Sequence, residues 1–76
     1  MKPSIGDRVI DIRADEPGAI PAMRVMFGTI AEITPYRVMV KWDCNKGFPA
    51  SPCLLGSIRL LPAEEEDERR RTTVFR

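Results

Sequence analysis

Apolar residues along the body of the chain recur mostly at intervals of two rather than at the three-to-four spacing of a helical face. Most of the glycines and prolines fall between these runs and break them into short segments. The rhythm predicts an all-β protein. Its clearest run is residues 37–43, where Val38, Val40 and Trp42 alternate with Arg37, Met39 and Lys41, so the first three share one face of a strand and the second three the other. Trp42 keeps phase with the two valines, which places it in the core rather than on a ligand.

A first strand is expected at residues 8–12, entered from a Gly6-Asp7 turn and with Val9 pointing inward. The connection 13–26 contains Pro17 and Pro21, neither of which can donate to a central ladder, so an ordered but irregular loop is expected there. Residues 27–33 form the second strand. Ile30 and Ile33 are three apart within it, which breaks the alternation and predicts a bulge or bend. A turn at Thr34, Pro35 and Tyr36 leads to the strand at 37–43. A glycine- and proline-rich connection, 45–52, then leads to two short segments, 53–55 and 57–61. The first is open between a helical turn and a strand, and Pro62 ends the pairing.

Beyond Pro62 the pattern changes to a block of acids followed by arginines. Glu65 precedes Arg69, Glu66 precedes Arg70 and Asp67 precedes Arg71, each by four residues, an order that supports a helix by about 0.2–0.5 kcal/mol per pair. Their sum, roughly 1 kcal/mol, does not offset nucleation of so short an isolated helix. Residues 63–76 are therefore expected to be a charged tail, disordered or transiently helical, after a barrel spanning 1–62.

Composition narrows the chemistry. A chain of 76 residues makes one domain and buries only roughly 60% of the surface its unfolded form exposes. A catalytic cleft of about 300 Å³ or more is hard to hollow from so small a core. Histidine, the commonest general base near neutral pH and a common metal ligand, is absent from the sequence. Cys44 and Cys53 are too few for a four-thiolate site and match no CxxC spacing. The expectation is a non-enzymatic protein without cofactor or metal. Residues 1–6 carry one lysine and no apolar run, which points to a cytoplasmic protein with two free thiols, a disulfide between them remaining the alternative. No stretch is apolar for long enough to cross a bilayer.

The net charge is +1, and residues 1–62 hold eight Lys/Arg against six Asp/Glu, so the body lacks the basic excess typical of polyanion binders.

The string Gly6-Asp7-Arg8-Val9, then Gly28-Thr29-Ile30, then Val38-Met39-Val40-Lys41-Trp42-Asp43, and finally Ile58-Arg59-Leu60-Leu61 resembles the small SH3-like domains of bacteria and phages. These share the outline of KOW and Tudor-type barrels. The resemblance implies a small SH3-like barrel of about five strands. It departs from the RNA-binding KOW pattern in its near-neutral body. It also departs from the Tudor aromatic cage, since the body has only Phe27, Tyr36, Trp42 and Phe48. Freestanding barrels of this kind are common on phages and mobile elements, so the resemblance implies a protein-binding module, an adaptor or a small stoichiometric inhibitor aimed at a host protein or defence complex.

Candidate contact residues follow from what the strand pattern leaves over. The connection 17–26 carries Ile20, Met23, Val25 and Met26, more apolar surface than a solvated loop needs, and Arg24 lies among them. Ile20 and Val25 folding back to cap the barrel is the competing reading. Arg37, Met39 and Lys41 present the outward face of the third strand. With Arg24 and Arg59 they form the alternative, a basic face for nucleic acid, partly neutralised by Glu32. A second alternative is an oligomer whose edge strands build a shared site. Val74 and Phe75 are candidates for docking of the tail on a partner.

Overall fold

Five antiparallel strands form one curled sheet in the order β4-β3-β2-β1-β5: β1 Arg8–Asp11, β2 Phe27–Ile33, β3 Val38–Trp42, β4 Ser51–Cys53 and β5 Ile58–Leu60. The structure is a computed structural model and describes residues 3–45 and 47–73. A single helical turn, α1 (Pro21–Arg24), lies between β1 and β2, and a ten-residue helix, α2 (Ala63–Thr72), follows β5. The sheet is a half-barrel: β4 pairs only with β3 and β5 only with β1, so two edges stay open.

Local chemistry sets the ends of β1. Gly6 adopts φ 94°, which only glycine takes readily, and its N–H donates to the Ile30 carbonyl at 2.8 Å. The Asp7 carboxylate accepts from the Ser4 N–H at 2.9 Å, closing the entrance turn. At the other end the Asp11 carboxylate accepts from the Arg13 N–H at 2.9 Å and turns the chain into a 3₁₀ helix, Ile12–Asp15. Ile12, expected as the last strand residue, therefore begins that turn and is exposed. The connection 13–26 carries two short helical turns, with irregular backbone over residues 16–20 between them.

The alternation expected of the third strand holds: Val38, Val40 and Trp42 are buried, Met39 is half-buried and Lys41 is exposed. In β2 the pairing with β3 shifts between Ile30 and Glu32, the bulge that the isoleucine spacing predicts. Ile30 points inward at 1% exposure, whereas Ile33, past the bulge, is exposed. Gly28 permits the close approach of the two strands. A Cβ there would lie 2.6 Å from Val40 Cγ1 and 2.8 Å from Trp42 Cε3, inside van der Waals contact.

Both faces of β1 are covered, because successive side chains point to opposite sides. Val9 enters the inner cluster with Ile30, Val38, Val40, Trp42 and Ile58. Its neighbour Ile10 joins an outer cluster with Ala14, Phe27 and Leu61, against which Val25 packs. Val25 thus folds back as one reading of the loop expected, while Ile20 does not and stays exposed.

Residues 63–72 differ from the disordered or transient helix expected of them: they form α2, laid against the barrel. None of its residues is buried. Its attachments are two arginine–carboxylate clusters. In one, Arg8 bridges Asp43 at 2.6 Å and Glu66 at 2.9 Å, and Arg70 returns to Glu66 at 2.9 Å. In the other, Arg59 joins Asp15 at 2.7 Å and also Glu65, while Arg69 reaches the same two carboxylates at 2.9 and 2.8 Å. Arg70 also stacks over the Phe27 ring, 4.9 Å from its centroid. Of the i,i+4 pairs anticipated from sequence, Glu65–Arg69 and Glu66–Arg70 form, and they are only part of this arrangement. Arg8, Asp15 and Asp43, distant in sequence, and Arg59, just ahead of the helix, supply the rest. Val74 and Phe75 lie outside the described residues. No helix among the described residues is long and apolar enough to cross a membrane.

Candidate partner-binding groove

The open sheet leaves a groove of about 460 Å³ between β4 and the turn that follows β1. Met26, Trp42, Pro52, Cys53, Leu54 and Ile12 give it apolar walls. Each arrives there for a local reason. Trp42 ends the inward row of β3 and lines the groove at 8% exposure. Met26 follows α1 and packs half-buried against the inner cluster. Pro52 sits in the middle of β4, a strand with a free edge, where a residue lacking an N–H is tolerated. Leu54 follows β4 and is exposed; its carbonyl accepts from both the N–H (3.0 Å) and the hydroxyl (2.8 Å) of Ser57, which fixes the turn into β5.

Three charged groups line the groove: Asp11, Arg13 and Arg37. The first two neutralise each other. The buried Asp11 carboxylate receives Arg13 Nε at 3.1 Å and Nη2 at 2.8 Å, and this guanidinium holds the carboxyl below its usual range despite burial. Arg37 is held at the mouth by its backbone alone. Its N–H donates to Thr34 Oγ1 at 3.0 Å and its carbonyl accepts from the Thr34 N–H at 2.8 Å. No carboxylate among the described residues pairs with the Arg37 guanidinium.

Burial, and secondarily the Asp11 charge, pushes the Cys53 thiol up, so it stays protonated and unreactive at neutral pH. Cys44 is exposed, with its sulfur 3.8 Å from that of Met26. Both cysteines are free thiols. No cluster of metal-ligating side chains occurs among the described residues.

Of the residues singled out from sequence, Met26 and Arg37 meet in this groove. Met39 and Lys41 occupy the reverse face of β3, opposite Glu32 and Thr29 of β2 respectively. Glu32 thus faces Met39 rather than a basic residue. Ile20 precedes α1 and is exposed; Met23, half-buried, and Arg24 lie on that turn, and the Arg24 carbonyl accepts from Arg69 at 2.9 Å. Arg59 is occupied by Asp15 and Glu65. Arg37 thus lines the groove and Lys41 lies on the reverse face of β3, while Arg24 and Arg59 both border the cluster of Asp15, Glu65 and Arg69.

Ile12, Pro52, Leu54 and Ser57 were not anticipated as site residues. Proline inside a short strand marks an edge and was the one usable signal. Compared with protein-family models, curated proteins and solved structures, the chain matches none.

Proposed function

We propose that this protein is a non-enzymatic protein-binding module with an SH3-like outline, acting as an adaptor or a stoichiometric inhibitor by seating a segment of a partner protein in the β4 groove. The observation that carries the reading is the groove itself: it is lined by Met26, Trp42 and Pro52, by exposed Leu54 and Ile12, and by Arg37, whose guanidinium has no carboxylate partner among the described residues. Concave apolar surface with a few placed polar groups is the usual form of a recognition site. The curled sheet and the long connection between β1 and β2 support the SH3-like outline.

The experiment is affinity capture from lysate with and without nuclease, comparing wild type with the Ile12→Glu, Leu54→Glu double variant and with Lys41→Glu on the opposite face. Both altered sites are exposed, so the fold is retained. A partner protein retained by Lys41→Glu and lost by the groove variant is the expected result. Equal capture by all three proteins, or capture that depends on nucleic acid, would overturn the reading.

A further inference from the structure

We infer that the segment seated in the groove is an extended, apolar stretch of about four residues that carries an acidic side chain, and that it is read by its side chains rather than by strand addition. This rests on the binding function proposed above and specifies its partner.

Charge selects the acid. Asp11 and Arg13 form a closed pair with each carboxylate oxygen engaged, so they present little net field to a ligand. Arg37 stands at the same groove with its five donors uncommitted among the described residues, since only its main chain is bonded. The thiol of Cys53 is neutral. The groove is thus net positive at one point. A carboxylate placed against that guanidinium makes a charge-assisted, two-pronged pair that a neutral or basic side chain cannot make.

Pro52 selects the mode. In a short edge strand a proline is accommodated with its nitrogen turned away from the ladder, so the free side of β4 lacks the N–H that an added strand would require at its centre. Leu54, two residues on and just past the strand, has its carbonyl already taken by Ser57. The edge is poor in backbone groups, while the walls are rich in side-chain surface from Met26, Trp42 and Leu54. Size sets the length, because a groove of about 460 Å³ lies in the range that holds a drug-sized ligand, roughly a tetrapeptide.

The test is selection of random heptapeptides displayed on phage against the full chain, followed by binding of the selected peptides read through Trp42, the sole tryptophan. Apolar peptides with an acidic residue at a fixed position are expected. Replacing that residue by its amide should weaken binding about tenfold or more, the effect of one charge-assisted pair. Arg37→Glu should shift the selected residue to lysine or arginine, and methylation of the peptide's backbone nitrogens should change affinity by no more than about threefold.

Peptides that bind in the groove, and are lost by Leu54→Glu, but show no acidic preference or no response to Arg37→Glu would overturn this inference and leave the binding function standing. A loss of about tenfold or more on methylation would overturn the side-chain mode. Selected peptides indifferent to both Leu54→Glu and Arg37→Glu would overturn the groove as the site and this inference with it.

Discussion

The two faces of the same sheet are held by different physics. On the inner face, Val9, Ile30, Val38, Val40, Trp42 and Ile58 exclude water from one another. Burial of each large apolar side chain is worth about 1.5–3 kcal/mol. On the outer face, Ile10, Ala14, Phe27 and Leu61 make a smaller cluster, and beside it α2 is fastened by ion pairs while burying none of its own residues. Partly exposed pairs contribute about 0.2–1 kcal/mol each, and salt screens them. Apolar burial, most of it on the inner face, therefore decides whether the protein folds, and the ion pairs of the outer face decide whether its last helix stays in place. Apolar burial tolerates salt and acid; a lattice of guanidinium and carboxylate tolerates neither.

The comparison is broken most severely from the inside. Trp42→Ala should cost about 3–5 kcal/mol, a large share of the stability of so small a domain, and abolish the cooperative thermal transition. An unchanged melting temperature would show that the inner cluster does not govern folding. A smaller effect is expected of Gly28→Ala. The new methyl would press on the stiff Val40 side chain and the Trp42 ring, for a loss of about 1–3 kcal/mol in a denaturant titration.

The smallest effect belongs to the outer face. Asp15 and Glu65, through Arg59 chiefly, and Glu66, through Arg8 chiefly, hold their protons less tightly in the folded protein than ordinary carboxylates do. Their contribution is complete above the unfolded carboxylate range of about pH 4 and drains away as pH falls through the lower folded values. Acidification below about pH 4, or about 1 M salt at neutral pH, should therefore reduce helical circular dichroism while Trp42 fluorescence holds. Simultaneous loss of both signals would mean that α2 and the barrel form a single cooperative unit.

Much of the inner face was legible in the sequence because its pattern is local. Val38, Val40 and Trp42 alternate within one strand, and the Ile30–Ile33 spacing exposes the bulge without reference to anything else. The outer face was not legible in the same way. Nothing near Ile10 or Phe27 says what covers them. The partners of Glu65 and Glu66 include Arg59 and Arg8, and Arg8 lies at the other end of the chain. The groove was half legible: an apolar excess marked Met26 and an outward position marked Arg37, whereas Ile12 and Leu54 become neighbours of the site only through the curl of the sheet.

The pairing of β1 with β5 sets a timetable for the chain. Val9 lies opposite Leu60, and the Leu61 N–H closes on the Arg8 carbonyl at 2.9 Å, so the first strand of the sheet waits for the last to arrive. Until then β1, β2 and β3 can assemble only a sheet with its inner face uncovered by Ile58 and its outer face by Leu61. Such long-range closure is slow relative to hairpin formation. Until β5 docks, a partly assembled sheet therefore shows apolar surface on both sides, and closure comes only with the last strand of the barrel.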